Sequence, residues 1–380
     1  MTEGDVLIVG GGIAGLALAG FLDDDTGVEP TVVERAPDLH RTGWAVGLWG
    51  NGTAVLEQLG VLDEAVSRGS TPDSFEVRTS DEVLASVSIP GEKSFLSVHR
   101  SDLTAALAEG VPDERLRMGT TVRGVEEEGD GVSVVYDDGT TETYDAVVGA
   151  DGIRSRVRNE VFDDPEAEER GTVAWSFWVP SDVDADLPDS LVSLLEPGTG
   201  VIMDRVGDRA LVNVATREPA GRTPEPPALR LLSRVADDVG WRLPDYVDAL
   251  DASDVFFARD YEVDMDSWHR HRTLLVGDAA HAVHPIVAMG ASLALEDAYV
   301  LADELRSAES VPDSFSSFED RRRDRVESVR RTAHVEERVI FTRSPLVTLP
   351  RNALVRWTSV LERAFESQID EFRNFSLDDI

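Results

Sequence analysis

Three apolar runs, far apart along the chain, each lead into a glycine. They cover residues 6–9, 146–148 and 273–276. Short apolar runs bounded by turn-forming residues predict strands that are buried on both faces, as in a parallel sheet. Because ligands of such a sheet lie beyond the carboxyl ends of its strands, the residues after these runs are candidates for one binding site.

The first run opens a β-α-β unit over residues 6–35. Gly10 allows a tight turn, Gly12 lets the backbone approach a pyrophosphate, and Gly15 lets the following helix pack closely on the strand. The second strand of the unit ends at Glu34, at the distance where an acid accepts hydrogen bonds from ribose hydroxyls. The unit therefore predicts a dinucleotide bound at the start of a helix, where free amide groups and the helix dipole favour an anion.

Two segments of the chain lack the alternation of strands and helices and instead contain strand patterns, loops and aromatic residues. Residues 171–264 show no parallel β-α rhythm, and residues 73–98 alternate like strands. Such alternation predicts a second, antiparallel domain. Most of the chain after residue 315 reads as helix with arginine and glutamate faces. We therefore predict a discontinuous first domain at 1–72, 98–170 and 267–310, a second domain at 73–97 and 171–266, and C-terminal helices at 311–380.

Composition narrows the class of protein. The formal net charge is −37, Lys93 is the single lysine, and there is no cysteine. This charge argues against nucleic acid as a partner, and it predicts a salt-adapted cytoplasmic protein, because high salt screens the self-repulsion. Residues 6–22 are nearly uncharged, but their acidic flanks argue against a signal peptide or a membrane anchor. We predict no disulfide and no metal site.

The motifs at the three strand ends occur together in one known order. Gly10, Gly12 and Gly15 with Glu34 come first, Gly-Ala-Asp-Gly at 149–152 second, and Gly-Asp-Ala-Ala-His from 277 through Pro285 third. In this order they resemble the single-component (class A) flavoprotein monooxygenases of the para-hydroxybenzoate hydroxylase type. The resemblance implies an α/β fold: a Rossmann-like, three-layer FAD-binding domain of the glutathione reductase type 2, an inserted antiparallel-sheet substrate domain, and C-terminal helices.

The resemblance also implies FAD as the cofactor and NADH or NADPH as the reductant. By analogy Glu34 holds the adenosine ribose, Arg100 the pyrophosphate side and Asp278 the ribityl chain, while Asp151 serves both FAD and the nicotinamide nucleotide. Independently, a helix that begins near Gly290 suits the negative charge of a reduced flavin. The predicted cofactor residues are Gly10, Gly12, Ile13, Ala14, Gly15, Glu34, Arg35, Arg41, Gly47, Arg100, Asp151, Asp278, Pro285, Gly290, Ala291 and Ser292.

In that family a nicotinamide nucleotide reduces FAD, oxygen adds to the reduced flavin, and the flavin hydroperoxide passes a hydroxyl group to an electron-rich substrate. Oxygen transfer of this kind needs no general base. His281 and Met289 are the candidate catalytic residues, and the alternative for His281 is a structural hydrogen bond within its motif. Ala288-Met289-Gly290 stands where the family has Gly-Gln-Gly. This departure predicts a thioether close to the flavin.

The substrate is expected between the flavin and the second domain, as a small aromatic or other apolar molecule. Strand alternation sends Trp175 and Phe177 to one face and Trp178 to the other. One face of this strand is expected to cover an apolar pocket, and the alternative, which the sequence leaves open, is that these aromatic residues pack in a core. The predicted substrate residues are Trp49, Trp175, Phe177, Arg205 and Asn213.

Other functions share this fold. One alternative is an FAD-dependent reductase of isoprenoid double bonds, similar to the geranylgeranyl reductases, and another is a flavin-binding protein without turnover. Residues 175–180 also partly match the Trp-x-Trp-x-Ile-Pro motif of flavin halogenases, but Lys93 does not stand where the lysine of those enzymes would. The leading prediction is an FAD-dependent hydroxylase, and the oligomeric state is left open.

Overall fold

The computed structural model describes most of the 380-residue chain. The described residues are 4–22, 27–39, 45–91, 93–162, 166–180, 183, 187–188, 190–206, 209–218, 227–359, 363 and 377.

The strands, in chain order, are β1 Gly4–Val9, β2 Val28–Glu34, β3 Ala45–Trp49, β4 Ser74–Arg78, β5 Val83–Ser88, β6 Phe95–His99, β7 Leu116–Met118, β8 Val122–Glu128, β9 Gly131–Tyr136, β10 Thr141–Tyr144, β11 Ala146–Gly149, β12 Glu168–Trp178, β13 Leu191–Glu196, β14 Thr199–Val206, β15 Arg209–Arg217, β16 Val255–Glu262, β17 His269–Arg270 and β18 Thr273–Leu275.

The helices are α1 Ile13–Phe21, α2 Gly50–Gln58, α3 Leu62–Ser67, α4 Arg100–Ala108, α5 Arg156–Val161, α6 Leu229–Val239, α7 Leu243–Asp248, α8 Asp278–His281, α9 Gly290–Ser307, α10 Val311–Ile340 and α11 Pro345–Trp357.

The three apolar runs become adjacent strands of one sheet. The strand order is β17-β18-β11-β1-β2-β7, and the pairs β18–β11, β11–β1, β1–β2 and β2–β7 are parallel. These strands are nearly continuous in apolar residues because layers cover both of their faces. Helix α1 packs against β1, β2, α4 and α9, and the antiparallel sheet β10-β9-β8 contributes Val132 and Val134 to the same core. The three-layer α/β architecture is as predicted.

A second sheet has the order β16-β12-β15-β14-β13-β4-β5. Its neighbouring strands are antiparallel, except for the parallel pair β13–β4. Strands β4 and β5, from the 73–97 segment, join the strands that follow residue 167 in the chain. Helices α6 and α7 cover one face of this sheet and form a second core with it. The strand pair β3–β6, called here the β3–β6 ribbon, contacts α2 and α9 through β3 and β14 through β6.

The C-terminal helices complete the fold as predicted. Helix α10 spans 30 residues and packs against α9, and α11 contacts α10 and β5. The exposed side of α11 carries Leu346, Leu349 and Trp357. Among the described residues, no helix combines the length and the apolar character that a membrane crossing requires.

Candidate cofactor and substrate site

The first strand ends in a glycine turn whose shape depends on the absence of side chains. Gly10 has φ +118°, and a Cβ there would overlap the carbonyl oxygen of Ala150. A Cβ at Gly15 would overlap the carbonyl oxygen of Gly10, so α1 lies directly against the strand end. A Cβ added at Gly12 would have the Arg100 Nη2 atom as its nearest neighbour, at 4.0 Å. The start of α1 is therefore accessible, and a cation stands opposite it.

The second strand ends beside this turn at Glu34. Its Oε2 accepts a hydrogen bond from the amide of Gly11 at 2.9 Å, and its Oε1 accepts one from the amide of Ala36 at 2.9 Å. These bonds fix the carboxylate at the carboxyl edge of the sheet, where its oxygens keep lone pairs for further donors. Arg35 follows Glu34 and is exposed. Glu34 is thus oriented toward the turn by the backbone alone.

Asp278 begins α8, just after the third apolar run. Its side chain reaches solvent although protein atoms surround it on most sides. Burial raises the pKa of this carboxyl group, and the interactions with Arg100 and His281 oppose that rise. A Cβ at Gly290 would lie 3.9 Å from Asp278 Oδ1. The carboxyl group therefore stands between the guanidinium at the glycine turn and the start of α9.

These groups form one edge, called here the cofactor edge, made of Glu34, Gly12, Arg100, Asp278 and Gly290. Carboxylates suit ribose and ribityl hydroxyls, and the amide groups of a helix start together with a guanidinium suit a pyrophosphate. The start of the 18-residue α9 suits a ring that gains negative charge. At Gly12 a side chain would fill the accessible space in front of the helix. The residues present therefore fit FAD.

Asp151 comes directly after the second apolar run. Its Oδ2 accepts hydrogen bonds from the amides of Arg156 at 2.6 Å and Val157 at 3.3 Å, at the start of α5. Burial raises the pKa of this carboxyl group, and hydrogen bonds from Ser155 and the α5 amides oppose that rise. The carboxyl group thus holds the start of α5 at the edge of the sheet where the other two runs also end.

His281 belongs to a buried ion cluster under α9. Its Nε2 lies 2.7 Å from Asp297 Oδ2. Arg322 donates a hydrogen bond to Asp297 Oδ1 at 2.8 Å and forms an ion pair with Glu296 Oε2 at 2.6 Å. Burial alone would raise the pKa of Asp297, but His281 and Arg322 overcome that effect and lower it to about 2. His281 therefore has the contacts of a structural hydrogen-bonding residue, one of its two predicted roles.

The segment 285–289 joins this cluster to α9. Pro285 begins a 3-10 turn through Val287, and Ala288 follows with φ +51°. A residue with a Cβ adopts this left-handed conformation at a cost of about 1 kcal/mol, which explains the glycine of the family at this place. Met289 turns its side chain into the core, where 4% of the residue is exposed. The predicted catalytic role of Met289 stays a prediction.

The β3–β6 ribbon and α2 lie against the start of α9. A Cβ at Gly47 would lie 3.7 Å from the Cβ of Ala288, and one at Gly52 would lie 2.7 Å from Ser292 Oγ. Trp49 is buried at the start of α2. These contacts place Gly47, Ser292 and Trp49 beside the start of α9.

Four further predicted cofactor residues complete the description. Ile13 and Ala14 are buried in the first turn of α1, and Ala291 is half-buried in the first turn of α9. Arg41 lies outside the described residues.

Strand β12 turns Trp175 and Phe177 away from the cofactor edge. Both are buried under α6 and α7, in one core with Leu232 and Tyr246. The Trp175 Nε1 donates a hydrogen bond to the carbonyl of Pro227 at 2.8 Å. The prediction that these two aromatic residues contact a substrate is therefore wrong, because helices occupy the face on which they lie.

Arg205 lies on the same helix-covered face. It pairs with Ala210 across the strands, its neighbour Met203 lies in the core under the helices, and its Nη2 donates to the carbonyl of Leu187 at 3.1 Å. Its predicted substrate role is wrong for the same reason. Asn213 lies on the opposite face, where it accepts a hydrogen bond from the Ser176 hydroxyl. Its predicted substrate role stays a prediction.

The face of the seven-stranded sheet opposite α6 and α7, called here the cleft face, carries residues that the sequence analysis did not select. Trp178 stacks on His99, with ring centroids 5.9 Å apart and planes inclined by 26°, and the Arg209 guanidinium lies 4.4 Å over Trp178. Asp204 is buried there and accepts a hydrogen bond from the Ser97 hydroxyl. Alternation along β12 and β14 carried the signal, but the choice of face depended on helices that follow later in the chain.

Known proteins have similar sequences. The sequence profile of the family described as "FAD binding domain" matches residues 3–333. A 2-heptyl-3-hydroxy-4(1H)-quinolone synthase of Pseudomonas aeruginosa is 32% identical over 92% of this chain and 93% of that protein. A 6-hydroxynicotinate 3-monooxygenase of Pseudomonas fluorescens is 29% identical over 87% of this chain and 90% of that protein.

Solved structures agree on the fold. HpxO of Klebsiella pneumoniae, in complex with FAD and uric acid, has a TM-score of 0.86 at 24% identity, over 97% of this chain and 96% of that chain. A salicylate hydroxylase in complex with its substrate has a TM-score of 0.80 at 23% identity, over 99% of this chain and 97% of that chain. These relatives do not favour the reductase alternative. The chain belongs to the FAD binding domain family and is an FAD-dependent monooxygenase of the single-component class.

Proposed function

We propose that the protein hydroxylates an electron-rich nitrogen heteroaromatic compound, with O2 as the oxygen source and NADH or NADPH as the reductant. The observation that carries this proposal is that the cofactor edge and the cleft face both border one face of the β3–β6 ribbon, because Gly47, Ser97 and His99 project to the same side of it. Gly47 on β3 lies against Ala288 before α9, and His99 on β6 stacks on Trp178 of the cleft face. A flat ring between these surfaces meets aromatic groups and a few polar ones.

FAD supplies the redox and oxygen chemistry when bound, and the protein supplies position and a water-poor cleft. Glu34 holds the adenosine ribose by accepting from its hydroxyl groups. The start of α1 and Arg100 hold the pyrophosphate, and Asp278 accepts from the ribityl chain. The start of α9 stabilises negative charge on the reduced ring.

The substrate class comes from the cleft and from the named relatives. Three of the four names contain a nitrogen heterocycle, namely a quinolone, a hydroxynicotinate and uric acid, and the fourth contains the carbocyclic salicylate. In this chain Trp178 and His99 provide a stacked aromatic wall, and Asn213 and Ser176 add hydrogen-bonding groups on the same face. Stacking favours a flat ring, and polar groups at its rim select its orientation.

The test uses the purified protein loaded with FAD. NADH and NADPH oxidation is followed with and without 4-hydroxyquinoline, and the product is analysed by mass spectrometry after reaction under 18O2. We expect stimulated oxidation and one 18O atom in a hydroxylated product, with the carbocyclic 1-naphthol as a weaker stimulator. Reduction of the ring without oxygen uptake, or flavin binding without any stimulated turnover, contradicts the proposal.

We also propose that this is a cytoplasmic enzyme of a salt-adapted cell. The net charge of −37 supports this, since screening by concentrated salt relieves the self-repulsion. Unfolding midpoints measured across a KCl series are expected to rise steeply with salt. A protein that is fully folded and active in dilute buffer contradicts this part of the proposal.

A further inference from the structure

Asp204 lies at the meeting point of the cleft face and the β3–β6 ribbon. It pairs with Leu211 on β15, and Leu211 pairs with Trp178 on β12, so the three side chains form one row across the strands on the cleft face. The Ser97 hydroxyl of β6 donates a hydrogen bond to Asp204, and Ser97 is the cross-strand partner of Gly47. Asp204 is thus one strand away from the residue that contacts Ala288 before α9.

The carboxyl group is enclosed but not fully used. The residue is 4% exposed, and its Oδ2 is buried without a hydrogen-bond partner among the described residues. Hydrogen bonds from Ser97 and from the backbone amide of Arg205 are made, and burial nevertheless raises the pKa of Asp204 to about 6. Enclosing a carboxylate whose oxygen lacks a donor costs free energy.

A purely structural role does not explain this choice of residue. The hydrogen bond between β14 and β6 needs one acceptor for the Ser97 hydroxyl. The side-chain oxygen of an asparagine at position 204 would accept it without burying a charge. The side chains around Asp204 on this face include Trp178, His99 and Leu211, which suit a flat ring. The Asp204 carboxylate, beside these aromatic side chains, suits a substrate ring that has an N–H or O–H group to donate.

We infer that Asp204 is the substrate-binding residue that accepts a hydrogen bond from a ring N–H or O–H group, and that it selects heteroaromatic substrates bearing such a donor. The inference rests on the proposed function and narrows its substrate class. A site built to accept a hydrogen bond discriminates against a ligand without the donor, because the buried acceptor is then left unpaired.

Binding to the oxidised, FAD-loaded protein tests this without turnover. The probes are 4-hydroxyquinoline, whose keto tautomer carries a ring N–H, and 1-methyl-4-quinolone, which lacks that donor. Their dissociation constants are measured by calorimetry for the wild type, Asp204→Asn and Ser97→Ala. The wild type is expected to bind the N–H probe about 10- to 100-fold more tightly than the methylated one.

Asp204→Asn is expected to weaken the N–H probe at least about tenfold and to leave the methylated probe nearly unchanged. The bulk of the methyl group affects binding to the wild type and to Asp204→Asn alike. The change in the ratio of the two dissociation constants between these proteins therefore reports the hydrogen bond alone. Ser97→Ala keeps the carboxylate and is expected to keep the discrimination. Asp204→Ala replaces Asp204→Asn if the latter does not retain FAD.

Equal discrimination in the wild type and in the Asp204 variant overturns the inference, as does a wild type that binds neither probe. Loss of discrimination in Ser97→Ala alone also overturns it, since Asp204 would then act only as a tie between strands. The proposed function is judged separately by 18O incorporation, which does not depend on these binding constants.

Discussion

At the glycine turn the backbone supplies the binding groups, whereas on the cleft face of the seven-stranded sheet the side chains supply them. Gly10, Gly12 and Gly15 act through the space that they leave, and Glu34 is oriented by two backbone amides. On the cleft face, by contrast, a residue's role depends on the side to which its strand turns it. The glycine turn therefore tolerates no larger side chain. On the cleft face, the strand register and the helices on the opposite face decide which side chains are available for binding.

The largest expected effect is at the backbone site. In Gly12→Val a side chain fills the space before Arg100, and we expect FAD affinity to fall by more than about 100-fold while the apoprotein stays folded. Flavin fluorescence titration measures the affinity, and circular dichroism checks the fold. Retention of FAD at wild-type affinity would mean that the pyrophosphate does not lie at this helix start.

Gly15→Ala is the matched substitution three residues away. Its Cβ would overlap the carbonyl oxygen of Gly10 within the fold itself, so we expect a loss of about 3 kcal/mol or more in the unfolding free energy of the apoprotein. Urea denaturation of the FAD-free protein measures it. If both glycine variants lose only FAD binding, or both lose only stability, the distinction between the two positions fails.

The next effect separates the two faces of β12. Trp175→Ala removes a side chain that is wholly buried under α6 and α7, and we expect a loss of about 3–5 kcal/mol in stability. Trp178→Ala, three residues along on the cleft face, is expected to cost about 1–2 kcal/mol because Trp178 is only partly buried. The second variant should weaken 4-hydroxyquinoline binding more than the first. The reverse order of the binding losses would place the substrate on the helix-covered face, and the reverse order of the stability losses would contradict the deeper burial of Trp175.

A smaller, pH-dependent effect is expected at Asp204. Its pKa in the folded protein is raised to about 6 from 3.8, so the folded state resists ionisation and stability falls as pH rises between these values. Asp204→Asn removes this loss, and we expect a gain that grows from pH 4 to pH 6 and stays near 3 kcal/mol above. Urea unfolding at pH 5 and pH 8 measures it, with the exposed Asp324→Asn as control. An equal gain at both pH values would contradict the raised pKa.

The smallest effect is expected on α11, whose outer side contacts neither site. Leu346 is 87% exposed, so we expect Leu346→Gln to change the unfolding free energy by less than about 0.5 kcal/mol. Chemical denaturation measures this change. A loss of several kcal/mol would show that this side of α11 is covered in solution.

The cofactor edge could be predicted from the sequence because its signals are local. A strand, a glycine turn, a helix and an acid at the next strand end lie within residues 4–34, and each step follows from neighbours in the chain. The later strand ends at Asp151 and Asp278 repeat a similar local pattern, in which an apolar run is followed by glycine and an acidic residue. Parallel pairing then brings these three ends together at one edge, as the order β18-β11-β1-β2 shows.

The cleft face could not be predicted in the same way. Alternation separated Trp175 from Trp178 correctly, but the face that becomes a core is decided by α6 and α7, more than fifty residues later. Asp204 stands in an apolar strand next to Arg205. The substrate role was predicted for Arg205 and not for Asp204, because cations often bind carboxylates and phenols. Long-range packing, not local pattern, settles each of these positions.

The separation of the three strand ends along the chain has a consequence for synthesis. The glycine turn leaves the ribosome early, but β11 pairs with it only after residue 149 has emerged, and the start of α9 follows at residue 290. A nascent chain shorter than this presents the first half of the cofactor edge without the second. We therefore expect FAD to bind only after residue 290 has been synthesised, and we expect shorter translation products to expose the unpaired edge of β1.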